Sequence, residues 1–265
     1  MRMSSSSLKN RIEMNLFSLE NQIAIVTGAS RGLGRAMALG MANAGAHIVA
    51  IGRDEQLLEE TAKEISRAGG TSTTFQTDLC DDMAVLSMVR ATIKSLGRVD
   101  ILVNNAGIAP LERTTEISKA SWDHVMDTNL NSVFTLSQAV GQEMIKKKNG
   151  NIINIASIYG RMASVNSLHY CASKAAIIQM TKALALEWAP FNIRVNCIAP
   201  GFFQTSMTAE QQINEKHYKF LLKKIPLKRF GKPEEIVGTV LYLSSTASQY
   251  VTGSTLLIDG GYSIW

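Results

Sequence analysis

From Gln22 onward, short apolar runs rich in β-branched residues alternate with longer segments of helical periodicity. No other feature narrows the fold as much. Residues 22–27, 46–51, 71–77, 101–104, 151–156, 193–199 and 254–258 read as strands. Several are nearly all apolar, as strands covered on both faces of a parallel sheet must be. Between them, residues 32–44, 55–68, 83–96, 121–147, 170–188 and 234–243 carry helical periodicity. Repeated strand–helix units imply right-handed crossovers between parallel strands. The predicted fold is α/β, a doubly wound parallel sheet of about seven strands with helices on both faces.

This is a Rossmann-type architecture, and the composition allows one large core. Hydrophobic residues make up 46% of the 265 positions and charged residues 18%. No linker, repeat or shift in composition divides residues 19–265, which are predicted to form a single domain. The polar residues 1–18 read as a disordered leader, within which Met14 is an alternative start. The net charge of +5 is dispersed, and aromatic and basic residues do not interleave along a face, which disfavours nucleic-acid binding. Cys80, Cys171 and Cys197 lack paired spacing, so neither a disulfide framework nor a metal site is expected. There is no apolar run of membrane-spanning length and no secretion signal. A cytoplasmic protein without a membrane partner is expected. One polar, basic stretch breaks the rhythm, at about 202–230, and is predicted to be a substrate lid with short helices near 211–222.

Thr27-Gly28-Ala29-Ser30-Arg31-Gly32-Leu33-Gly34 follows the first strand and opens the first helix. Such a turn alone reads as a tight corner or a phosphate cradle, and its place in the first βαβ unit favours the cradle. At the end of the second strand a Gly stands where an acidic residue would accept bonds from an adenosine ribose, and Arg53 follows. Arg31 and Arg53 together suit the 2′-phosphate of NADP(H), whereas Asp54, one residue late, keeps NAD(H) open.

Tyr170 and Lys174 share a helix face at a spacing of four, with Ser157 upstream. Taken alone, the pair reads as a half-buried Tyr beside a solvated Lys; with Ser157 and the rest of the chain it reads as an acid/base device for a carbonyl–alcohol couple, a phenol beside a cation that lowers its pKa.

With these motifs in chain order, the sequence resembles the classical short-chain dehydrogenase/reductase family from about Leu19 to Gly261. The resemblance implies that Gly28, Ser30, Arg31, Gly32, Leu33 and Gly34 bind the cofactor, and that Asp78 and Leu79 contact adenine. It implies that Asn104, Asn105, Ala106 and Gly107 steady the sheet and line the cofactor channel, with Asn104 mainly structural. Pro200, Gly201 and Thr205 would contact the carboxamide and pyrophosphate. The implied catalytic set is Asn129, Ser157, Tyr170 and Lys174, of which Tyr170 and Lys174 also touch the cofactor. No metal is implied, and a homotetramer is. A terminal Trp265 is expected to pack across a subunit boundary.

For the substrate, the chain looks most like gluconate 5-dehydrogenases and 3-oxoacyl-ACP reductases. Thr135 and Phe191 stand where the ACP reductases tend to carry arginines for an acidic carrier protein. Arg161, Asn166, His169 and residues 202–208 are pocket candidates, although His169 reads more as packing, and Cys171 as a small filler. A sugar acid or polyol is favoured, oxoacyl chemistry is the alternative, and a non-catalytic NADP-binding redox sensor is the alternative of another class.

Overall fold

The computed structural model describes residues 16–209 and 215–264. Seven strands, β1 (Ile23–Thr27), β2 (His47–Gly52), β3 (Thr71–Gln76), β4 (Ile101–Asn104), β5 (Gly150–Ile155), β6 (Ile193–Pro200) and β7 (Thr255–Ile258), form one sheet. Its order is β3-β2-β1-β4-β5-β6-β7 and every pairing is parallel. Each strand lies within one residue of its predicted position at either end. The central strands β1, β4 and β5 are buried at every position, which is why they read as unbroken apolar runs.

The helices are α1 (Gly32–Asn43), α2 (Glu55–Arg67), α3 (Asp82–Leu96), α4 (Lys119–Met126), α5 (Ser132–Lys147), α6 (Leu168–Trp188), α7 (Glu215–Lys224) and α8 (Val237–Ser244). Local chemistry starts several of them. Asp54 accepts from Leu57 N at the head of α2, Asp81 from Met83 N and Ala84 N at α3, and Ser118 from Ser121 N at α4. Gly97, at φ +80°, ends α3 in the left-handed region. Two apolar layers cover the sheet. One includes Met37, Met41, Val240 and Leu243, and the other Val85, Met88, Leu136, Val140 and Trp188.

Three predicted helices differ from the structure. The segment predicted as one helix over 121–147 is α4, a π-helical turn (Asp127–Asn131) and α5. A single π turn slips the helical register by one residue, a break too small to stand out in a pattern this short. α6 starts at Leu168, two residues before the predicted start, and α8 is preceded by the 3-10 turn Pro233–Ile236. Of the short helices expected near 211–222, α7 is present and residues 211–214 lie outside the described set. The leader residues 1–15 and Trp265 also lie outside it. Leu16, which is described, receives bonds at its carbonyl from Ala247 N and Thr246 Oγ1.

The chain winds outward from β1 to β3, then crosses back to place β4 on the other side of β1. The loops leaving β1 and β4 therefore diverge, and such a reversal opens a crevice at the carboxyl edge of a parallel sheet. The long excursion after β6 returns over that edge. It is closed at its base by a bridge between Phe203 and Gly231, with Gln204 N donating to Gly231 O at 2.8 Å.

Candidate active site

The crevice at the β1–β4 reversal is a cleft of about 1040 Å³. At one end, Gly28 (φ +65°) and Gly32 (φ +56°) hold the first loop in the left-handed region that only glycine adopts cheaply. The loop is latched from β4. Thr27 Oγ1 accepts from Asn105 N at 2.9 Å and Ala106 N at 3.0 Å, and Asn105 Nδ2 donates to Thr27 O at 2.9 Å. A Cβ on Gly34 would collide with Gly28 O and Asn105 Nδ2, so Gly34 shapes the turn. Gly34 itself does not line the cleft, unlike the other loop residues predicted to bind cofactor. The N-terminus of α1 has no side-chain cap and no acidic residue in its first turn, which leaves its amides to face an anion.

Arg31 and Arg53 are exposed at this end of the cleft. Arg31 pairs with Asp54 at 3.1 Å, while the other oxygen of Asp54 caps α2. Asp54 is thus committed to the helix and to Arg31. Asp78 and Leu79 line the neighbouring wall, and Asp78 Oδ1 accepts from Cys80 N at 3.0 Å. Pro200, Gly201 and Thr205 line the opposite side, and a Cβ on Gly32 would lie 3.5 Å from Thr205 Cγ2.

Ser157, Tyr170 and Lys174 stand together in the middle of the cleft wall. Ser157 is buried at the end of β5, where its Oγ accepts from Tyr159 N at 3.1 Å. Tyr170 and Lys174 project from the first turns of α6, and the Lys174 Nζ donates to Ile155 O at 2.9 Å and lies 5.9 Å from the Tyr170 ring centre. Burial pushes the Lys174 amine down to about 8. Contrary to the expectation that Lys174 would lower it, the Tyr170 phenol is raised, by burial first, with the nearby Ser157 hydroxyl acting in the opposite direction.

Asn129 lies behind this wall, not on the cleft surface. It is fully buried in the π turn, where Oδ1 accepts from Ile108 N at 2.8 Å and Nδ2 donates to Ile108 O at 2.9 Å and Ser173 Oγ at 3.2 Å. Gly107 admits it, since a Cβ there would lie 3.1 Å from Asn129 Oδ1 and 3.4 Å from Lys174 Nζ. Asn104 is structural: its Nδ2 donates to Ser137 Oγ and to Asn154 Oδ1, and Asn154 in turn donates to Thr181.

Two pocket candidates are displaced, and a third is the packing residue that it read as. Arg161 and Asn166 are exposed outside the cleft lining, and His169 is completely buried beneath it. Neighbours on a helix face about 100° apart, so turning Tyr170 to the cleft turns His169 inward. Asn166 sits in a left-handed turn at φ +57° that aims its backbone carbonyl at Glu112 N. The residues missed from sequence are Glu112, Ser121, His124, Tyr159 and Ser167, which line the cleft beyond Tyr170. They come from irregular loops and helix ends that no periodicity marks. Among the described residues, no group of three or more His, Cys, Asp or Glu side chains could hold a metal ion, and no helix is long and apolar enough to cross a membrane.

A glycine loop at the reversal of a parallel sheet, with a Ser, Tyr and Lys wall beside it, is the build of a dinucleotide-dependent oxidoreductase. Comparison with known proteins agrees. A family model described as enoyl-(acyl carrier protein) reductase matches residues 28–263. The chain is 40% identical over 253 residues to the gluconate 5-dehydrogenase of Gluconobacter oxydans, covering 94% of this chain and 98% of that protein. It is 39% identical over 246 residues to the 3-oxoacyl-[acyl-carrier-protein] reductase of Thermotoga maritima, covering 93% and 99%. Among solved structures, a gluconate 5-dehydrogenase from Burkholderia cenocepacia in complex with NADP and tartrate superposes with a TM-score of 0.92 at 33% identity, covering 96% and 99%. The chain belongs to the short-chain dehydrogenase/reductase family and is an oxidoreductase.

Proposed function

We propose that this enzyme interconverts a carbonyl and a secondary alcohol on a sugar acid or polyol, using NADP(H), with Asn129, Ser157, Tyr170 and Lys174 as its catalytic groups. The observation that carries the reading is that Ser157, Tyr170 and Lys174 line one wall of the cleft together, with the Lys174 amine 5.9 Å from the Tyr170 ring centre. The cradle fits a dinucleotide: glycines at Gly28 and Gly32, uncapped amides at the head of α1, and Arg31 with Arg53 for a 2′-phosphate. The bound nicotinamide would supply or accept hydride at the substrate carbon. In reduction Tyr170 gives its proton to the substrate oxygen, and in oxidation it takes that proton back. Ser157 holds the oxygen in place. Lys174 favours the phenolate, and Asn129 Oδ1, close to Lys174 across Gly107, orients a water that restores the proton.

Polar groups beyond Tyr170 support a hydroxylated substrate, as does the likeness to gluconate 5-dehydrogenases. The oxoacyl alternative draws on the Thermotoga relative. Against it, Thr135 bonds Asp82 and Phe191 packs against the core, so neither position offers a docking cation.

The test is oxidation of NADPH and of NADH by the purified chain, with 5-ketogluconate and with a 3-oxoacyl thioester. Faster turnover of the keto acid supports the reading, and preference for the thioester overturns it. Replacing both Arg31 and Arg53 by Ala is expected to raise the KM for NADPH roughly 10–100-fold and to leave that for NADH unchanged. An equal rise for both cofactors would remove the phosphate role. A homotetramer is part of the same reading, with Phe134 on α5 and Leu186 on α6, 51% and 83% exposed, as surfaces for partner subunits to cover. Sedimentation of a monomer would reject it.

A further inference from the structure

The cleft beyond Tyr170 holds a carboxylate where a sugar-acid site would want a cation. Glu112 lines that end with Ser121, His124, Tyr159 and Ser167. Among the described lining residues it is the only Asp, Glu, Lys or Arg there, since Arg31, Arg53, Asp54 and Asp78 lie by the glycine loop and Lys174 backs Tyr170. The nearby arginines do not compensate. Arg113 pairs with Glu116 at 3.7 Å with its side chain 74% exposed, and Arg161 lies outside the cleft.

The Glu112 side chain is placed by its neighbours. Ser121 Oγ donates to its Oε1, and beneath it lies His169, wholly buried. His169 Nδ1 accepts from Tyr170 N at 3.0 Å, which puts the ring proton on Nε2. That Nε2 has no hydrogen-bond partner among the described residues and lies 3.8 Å from Glu112 Oε1. A shift of about an ångström closes the pair to hydrogen-bond length. The loop does not need this side chain for its anchorage, because the Glu112 backbone N already donates to Asn166 O at 2.8 Å.

We infer that Glu112 is the specificity-determining residue of this site, accepting hydrogen bonds from substrate hydroxyls, and that His169 is its positioning residue. An ionised carboxylate offers only acceptors, so it matches the O–H donors of a polyol or ketose and repels a carboxylate in the same place. The inference rests on the proposed function and narrows it: the preferred substrate is a neutral polyhydroxylated molecule, not its acid.

The test compares sorbitol with gluconate in the oxidative direction with NADP, and fructose with 5-ketogluconate in the reductive direction. The wild-type chain is expected to favour the neutral partner of each pair in kcat/KM by about tenfold or more. Glu112→Gln should lower kcat/KM for the neutral substrate about tenfold, mainly through KM, leave the KM for NADPH unchanged, and erase the preference. His169→Phe should reproduce the KM effect and His169→Gln, which keeps a donor near the Nε2 position, should restore it. Thermal unfolding of each variant separates this from loss of fold. A wild-type preference for the acid, or an equal effect of Glu112→Gln on both members of a pair, would overturn the inference and leave the proposed function standing. Turnover of the 3-oxoacyl thioester alone would overturn both.

Discussion

Replacing Tyr170 by Phe is expected to lower kcat by roughly 10²–10⁴-fold, the usual contribution of a positioned general acid. The change deletes one hydroxyl from a side chain that lies partly open to the cleft near the Ser157 hydroxyl. The ring keeps its place in the first turn of α6, so dinucleotide binding and thermal unfolding should barely change. That separation makes the result informative. A variant that folds, binds NADPH and retains more than a tenth of the activity would show that the proton comes from another group.

The second large effect is expected at Lys174, and its sign is set by burial. Its amine is pushed down to about 8 from an ordinary 10.5, with desolvation as the leading cause. Below pH 8 the folded chain carries the buried charge and its full penalty. Between about 8 and 10.5 the unfolded chain holds a proton that the folded chain has lost, so stability rises with pH across that window. Near pH 10 the raised phenol of Tyr170 begins to act in the opposite direction, because the unfolded chain then ionises first. Lys174→Met should abolish turnover, raise stability at pH 7 by an order of 1–3 kcal/mol, and flatten the rise above pH 8. Chemical denaturation of both proteins at pH 7 and pH 9.5 measures this. Equal differences at the two pH values would mean that Lys174 is solvated in the fold and carries no penalty.

The parts of the molecule legible in the sequence have a local or strictly periodic signature. β1, β4 and β5 are buried on both faces, and burial on both faces needs the apolar runs that revealed them. The glycine loop was legible because left-handed backbone at Gly28 and Gly32 is cheap only for glycine. Tyr170 and Lys174 were legible as a pair because four residues of helix bring two side chains onto one face.

Periodicity says less where one residue decides the direction. His169 adjoins Tyr170 in the chain yet lies fully buried beneath the cleft, on another side of α6. The π turn that buries Asn129 hid inside a predicted continuous helix, since its partners Ile108 and Ser173 are set by tertiary contact. Glu112 carries no local mark at all. It belongs to the irregular segment after β4, and its significance comes from Ser121 on α4 and His169 on α6 meeting around it.

By itself the sequence determined the α/β fold class, the glycine turn after β1 and the shared helix face of Tyr170 and Lys174, because each follows from short-range sterics or from a helical or strand repeat. Only the tertiary structure decided what surrounds the substrate. That end of the cleft is assembled from the loops and helix ends that follow β4, β5 and β6, and the order of strands in the sheet, not proximity along the chain, brings their side chains together.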